Sequence, residues 1–499
     1  MDAAVAAATT IAVVYPHMTG IGGDSFWLLW DAGHHRLQAL NACGRAATSA
    51  TASIYASRYY GVIPARGGAA ALTVPGVVSG WWEAHNYSRS TMKSPIAWPR
   101  LLEQSIAHAR DGVAVSNGFR RVTSQTGDLF GAQAPTEVRE RLWPLYHLDH
   151  IGDTIVQHDL ARTLTEVAGG GAEAFYRGPL AARIADAAAR AGSPLGAEDF
   201  ADHHADWVEP LRHPYRDGVA ASFPPPTQGF AALAILGLLE GFDLSSLDDA
   251  GYVHLIVEAT KIAFEDRDRW LADPTMVPVP VAECLDRARL DERRRRISQR
   301  VAAPTSGPPA AGDTIAIVTA DGAGNAVALI QSLYHEYGSG VIAGDTGVLL
   351  QNRGAFFSLD PSHPNCLAPR KQPAHTLIPS MYFVGGRPRL VYGTMGGEGQ
   401  PQTQAALVTR LVDRGLGPQE AVEAPRWLFG RTWGEPSKAL RIESRFGADA
   451  AETLRSRGHD VKVVDAFSDL MGHAQLIRMD DDGLRGASDP RADGAALGW

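Results

Sequence analysis

At 499 residues the chain exceeds one ordinary core; at about 150 residues per domain it holds two or three units, or one large layered domain. Hydrophobic residues at 45% and charged residues at 20% exclude wholesale disorder, and 55 acidic against 46 basic residues exclude a basic footprint for nucleic acid or a membrane surface. Three scattered cysteines (Cys43, Cys284, Cys366) form neither a disulfide framework nor a zinc motif, and fit a reducing, cytoplasmic compartment.

No apolar run reaches the roughly 18 residues that a membrane helix needs. The opening MDAAVAAATTIAVVYPH has no basic leader and no cleavage pattern, so it reads as a buried helix stopped by Pro16. With no strand ahead of that helix, upstream sequence is expected to be missing. Gly20-Ile21-Gly22-Gly23 is a turn, Ser25 to Asp31 (SFWLLWD) a strand, and Leu72 to His85 a Gly-Pro turn opening a helix. From about Trp98 to Leu271 apolar residues recur at spacings of three and four, which predicts a mostly helical stretch. Asp286 to Arg300 (DRARLDERRRRISQR) is either a phosphate site or a solvated helix face, and the net acidic chain favours the face. Val301 to Gly312 (VAAPTSGPPAAG) reads as a linker.

Beyond the linker the pattern turns to strands. Thr314–Ala320 and Ala326–Tyr334, joined by Asp-Gly-Ala-Gly-Asn, predict a hairpin. Pro388–Gly393 is a strand running into TMGGEGQPQ and then the helix TQAALVTRLVDRG; ALRIESRF, DVKVVDA and HAQLIRMDDDG follow as strands. The fold class is α/β or α+β, with stacked layers rather than independent domains.

G-x-S-x-G, H-E-x-x-H, a GK[ST] phosphate loop and C-x-x-C are absent, and neither glycine cluster completes G-x-G-x-x-G. His147 and His150 have a spacing that reaches a metal from a helix, although surface histidine pairs are commoner. The hairpin is more informative. Symmetric pairing about Ala323 sets Thr314 opposite Ser332, both hydroxyls on one face. Such a pair is ordinarily structural, but Thr314 follows the linker and Gly312-Asp313. Cutting Asp313–Thr314 would give Thr314 a free α-amine within reach of its own hydroxyl, a nucleophile that carries its own base. Ser332 would orient that hydroxyl. Gly396-Gly397 either offers N–H groups to an oxyanion or is a plain strand-to-helix turn.

These residues lie in the motifs DAAVAA…HMTGIGGDSFW, LTVPGVVSGWW, GDTIAIVTADGAGNAVALIQS, YGSGVIAGDTGVLLQNRG, APRKQPAHTLIP, GTMGGEGQPQT and GASDPRADGAALGW. In order and over the whole chain, they resemble the γ-glutamyltranspeptidase superfamily of N-terminal nucleophile (Ntn) hydrolases. The resemblance implies an α+β fold, a four-layer αββα Ntn-hydrolase sandwich. It implies a proenzyme that cuts itself at Asp313-Thr314 into a large segment, 1–313, and a small one, 314–499, of one domain. Thr314 then matches the nucleophile, Ser332 the hydroxyl that hydrogen-bonds it, and Gly396 and Gly397 the oxyanion donors. No metal or organic cofactor is implied.

The substrate pocket departs from that of transpeptidases. Their carboxylate-binding Arg falls at or near Cys43, and the Asn after their second strand is Tyr334. Their Gln and Asp for the α-amino group become Arg353 and Phe356, and their paired serines His375 and Thr376. A γ-glutamyl head would leave charged ends unpaired on burial here. Ile330–Gly340, Gln351–His363, Gly397–Leu407 and Arg426–Gly434 look most like a subgroup of amidohydrolases that split oxamate into oxalate and ammonia. Arg353 would pair with a small carboxylate beside the amide, or hold a structural ion pair. The expected activity is hydrolysis of a small amide through an acyl-enzyme; the alternatives are a γ-glutamyl hydrolase or transferase and an unprocessed, ligand-binding pseudoenzyme. Expected partners are a small-molecule amide and the two segments of one precursor, with a higher oligomer left open and no nucleic acid or membrane.

Overall fold

Alternation along the strand Asp24–Asp31 decides what lies on either side of it. Phe26, Leu28 and Trp30 enter one buried cluster, and Trp27 and Leu29 another. A strand buried on both faces belongs inside a layered molecule. The computed structural model describes residues 1–130, 134–148, 150–303, 313–430 and 437–499.

Two antiparallel sheets form the centre. The first runs, edge to edge, 206–208, 36–42, 24–31, 326–334 and 313–320; the second runs 483–488, 474–480, 387–394, 380–384, 218–222 and 211–215. Phe26, Ala328 and Ile330 of the first meet Ala221, Met381 and Val391 of the second, together with Phe223. Full burial of a side chain such as Phe26 or Leu28 contributes about 1.5–3 kcal/mol. Phe26 also meets Phe223 edge-to-face, with ring centroids 5.0 Å apart.

Helices cover both outer faces. Val5 and Ala8 of Asp2–Val14, Val78 and Trp81 of Val77–Ser90, and Leu101 and Leu102 of Trp98–Asp111 pack with Trp27, Leu29, Val327 and Leu329. Gly229–Leu239, Asp249–Trp270 and Gln400–Val412 cover the other sheet around Tyr382, Leu390 and Leu476. The architecture is the four-layer αββα sandwich. Both sheets take strands from either side of residue 313, so 1–313 and 314–499 share one core.

Three details differ from the sequence reading. The stretch read as mostly helical contains the strands Asp206–Val208, Leu211–Tyr215 and Gly218–Ser222, which are short and flanked by long amphipathic helices whose periodicity masks them. The arginine run has a docking side beside its solvated one, on which Arg287, Arg295 and Arg300 are exposed. Arg289 and Arg293 pair with Asp266, Arg296 pairs with Glu265, and Arg294 donates to the carbonyls of Gly237 and Leu238. Thr314 does not pair directly with Ser332, as described below. The expected linker lies outside the described residues from 304 to 312.

Candidate active site

From Ala320–Ala326 back to Ile315–Gln331, the hairpin keeps its symmetry about Ala323. It then slips, and Asp313 faces Tyr334. Thr314 therefore stands alone against Ser332 and Leu333, in a two-against-one β-bulge that replaces the expected one-to-one pair. Such bulges re-aim side chains and end pairing. Thr314 is buried, and its hydroxyl has no hydrogen-bond partner among the described residues. Ser332 faces Asp24 on its other side, and its Oγ accepts the Tyr334 N–H at 2.8 Å. Gly23 makes that junction fit, because a Cβ there would lie 2.1 Å from the Ser332 carbonyl oxygen.

The second strand ends at Tyr334 with φ of +84°, a conformation that a bulky residue rarely adopts. Tyr334 then lies beneath Arg353, whose guanidinium carbon is 3.9 Å from the ring centroid. Arg353 opens a short 3-10 helix, Arg353–Phe356, and is fully buried. Its Nη1 donates to Thr376 Oγ1 at 3.4 Å, while Nε and Nη2 have no partner among the described residues. Burial pulls this guanidinium down to about 10, with Tyr334, Asp24 and Cys43 acting the other way. It stays charged at neutral pH. No carboxylate among the described residues forms an ion pair with it. Phe356 closes one side, its ring 5.8 Å from that of Tyr334.

His375 is also fully buried, against Phe26 at 4.6 Å between ring centroids. Its Nε2 lies 3.4 Å from Asp24 Oδ2, and its Nδ1 has no partner among the described residues. Burial and then Arg353 hold the imidazole neutral. Asp24 is the group the sequence reading missed. Its Oδ1 accepts from the Gly44 N–H at 2.8 Å and from Gln351 Nε2 at 2.9 Å. Its Oδ2 faces His375 and, at 3.7 Å, Cys43 Sγ. Burial raises Asp24 to about 6 against those hydrogen bonds and Arg353. The available signal was a carboxylate leading a strand otherwise made of Ser, Phe, Trp and Leu.

Gly396, with φ of +139°, turns the strand Arg387–Thr394 into the 3-10 helix Gly397–Gly399 and then the helix Gln400–Val412. By position, the first N–H groups of such a turn have no intrahelical acceptor. Gln228 joins this turn to the pocket: its Nε2 donates to the carbonyls of both Gly397 and Thr376, each at 3.0 Å. Arg267 backs the staple, 3.4 Å from Gln228 Oε1 and 3.0 Å from Glu398. Sequence reading missed Gln228 and Arg267, which lie more than a hundred residues from the motifs they support.

Thr314, Ser332, Tyr334, Arg353, His375, Thr376 and the Gly396-Gly397 turn are thus connected through registers and side-chain contacts. His147 is not part of this constellation; its ring stacks on Trp143 at 3.9 Å. Arg426 is structural, paired with Asp489 at 2.6 Å and donating to the Gly472 carbonyl at 2.8 Å. The rest of its motif, from 431 to 434, lies outside the described residues.

A family model described as Gamma-glutamyltranspeptidase matches residues 1–499. An oxamate amidohydrolase proenzyme of Klebsiella pneumoniae is 44% identical over 500 residues, covering 100% of this chain and 94% of that protein. A glutathione hydrolase-like proenzyme of Bacillus subtilis, YwrD, is 42% identical over 504 residues, covering 100% and 93%. Among solved structures, cephalosporin acylase from Bacillus halodurans superimposes with a TM-score of 0.92 at 33% identity, over 100% of this chain and 91% of that one.

Proposed function

Since this chain belongs to the γ-glutamyltranspeptidase family of hydrolases, we propose that it is a self-processing amidohydrolase with Thr314 as its nucleophile and a small amide such as oxamate as its substrate. The observation that carries the substrate reading is Arg353: a buried, charged guanidinium with two nitrogens that have no partner among the described residues. An isolated buried cation is costly unless an anion completes it. A carboxylate adjacent to the scissile amide supplies that anion, and the guanidinium binds it through two parallel N–H···O bonds.

In the continuous chain the Thr314 nitrogen is a peptide N–H. Cutting Asp313–Thr314 makes it an amine, which takes the Thr314 hydroxyl proton as the oxygen attacks the amide carbon. Ser332 orients that oxygen, and the N–H groups of Gly396 and Gly397 hold the oxyanion. The C–N bond breaks, the proton goes to departing ammonia, and Thr314 carries an oxalyl ester. Water, deprotonated by the same amine, hydrolyses the ester and releases oxalate. The names of the relatives support a precursor that matures into two segments.

Turnover of oxamate against a γ-glutamyl anilide tests the substrate class. Ammonia and oxalate release with a higher kcat/KM for oxamate is expected. Faster turnover of the anilide would replace this reading with the γ-glutamyl one.

A further inference from the structure

Asp24, Cys43 and His375 converge near Arg353 in a way the proposed hydrolysis does not use. Asp24 Oδ2, Cys43 Sγ and one nitrogen of His375 all lie within 4.8 Å of one another, and the three residues are at most 1% exposed. The separation of 3.4 Å from Asp24 Oδ2 to His375 Nε2 is long for a hydrogen bond, and Cys43 Sγ stands 3.7 Å from the same oxygen, at thiol hydrogen-bond distance. Both separations fit the edges of a tetrahedron, about 3.3 Å for O···N and about 3.5 Å for O···S when metal–ligand bonds are about 2.0–2.3 Å. The carboxylate is already oriented, with Oδ1 fixed by Gly44 and Gln351 and Oδ2 left facing the cluster. The His375 ring is fixed against Phe26.

We infer that Asp24 Oδ2, Cys43 Sγ and His375 Nε2 form a three-ligand site for a soft divalent cation of the zinc class. A thiolate and an imidazole select such an ion over magnesium or calcium. Binding displaces the Cys43 proton, so cation, thiolate and carboxylate sum to zero, and the neighbouring Arg353 remains the net charge of the pocket. That neutrality makes a divalent ion tolerable beside a guanidinium. Three protein ligands leave the fourth position for water or for an anion shared with Arg353.

The probe is Co2+, added to the full-length reduced protein and followed by absorption spectroscopy. One equivalent is expected to give a thiolate-to-cobalt charge-transfer band and visible bands of tetrahedral intensity. Cys43→Ser should abolish the charge-transfer band and weaken binding by at least about tenfold. A Cys284→Ser/Cys366→Ser double variant should keep the band unchanged, which guards against misfolding of the Cys43 variant. Failure of the wild type to bind one equivalent, or loss of the band in the double variant, would overturn the assignment. The readout needs no turnover, so it stands or falls apart from the amidohydrolase reading.

Discussion

The Arg353 guanidinium lies 3.9 Å from the Tyr334 ring centroid, and its Nε and Nη2 have no partner among the described residues. A ring face and one hydroxyl are poor compensation for a buried charge, so the protein pays for this arrangement in stability and recovers it only with ligand. Arg353→Met is therefore expected to leave the melting temperature unchanged or higher. It should lower kcat/KM for a carboxylate-bearing amide by roughly a hundredfold or more, the loss of about 3 kcal/mol expected for one buried charge-assisted pair. Thermal melts with steady-state kinetics decide it; a variant that melts lower but keeps its kcat/KM contradicts this role.

Gln228 acts at a distance from the reacting atoms. It ties the Thr376 carbonyl to the Gly397 carbonyl, and Arg267 ties it in turn to Glu398. Gln228→Ala frees the glycine turn and leaves two buried carbonyls short of a donor. We expect kcat to fall by roughly tenfold, with a smaller change in KM and with self-cleavage retained, since an oxyanion donor matters most in the transition state. A change in KM alone would place Gln228 in ground-state binding instead.

Acid should destabilise the fold through its buried histidines. Burial lowers His17 and His203 to about 3 and His473 to about 4, against 6.5 in the unfolded chain. Below pH 6.5 the unfolded state binds more protons, so stability falls with pH until those lower values are passed. Each histidine contributes about 1.4 kcal/mol per pH unit across that window. His203 bonds to Ser79 Oγ at 2.9 Å. His203→Gln should flatten the pH dependence of urea midpoints between about pH 6 and 4. An unaltered slope would show that His203 is not titrating on unfolding.

How much of this was legible in the sequence follows from chain distance. The hairpin Asp313–Ala320 and Ala326–Tyr334 was readable because its two strands and loop are local, and their register follows from the loop centre. The slip at Thr314 was not readable; it lies where Ser332 pairs with Asp24 and Gly23 approaches the Ser332 carbonyl, partners far away in the chain. Helices with apolar spacing of three and four, such as Trp98–Asp111 and Asp249–Trp270, were plain; the three-residue strand Asp206–Val208 carries too few residues for a period. Resemblance placed Arg353, Tyr334, His375 and Thr376 together; in the structure Arg353 touches Tyr334 and Thr376, while His375 lies against Asp24 and Phe26. The unpaired state of Arg353 is a property of packing, and no local pattern announces it.

The account turns on Thr314. Purified protein should be analysed by intact mass and by sequencing the N-terminus of each fragment, for the wild type and for Thr314→Ala. The expected result is two wild-type fragments, 1–313 and 314–499, the smaller beginning at Thr314, and a single uncut, inactive Thr314→Ala chain. A Thr314→Ala protein that is cut and hydrolyses the amide, or a wild-type chain that is active while intact, would contradict it.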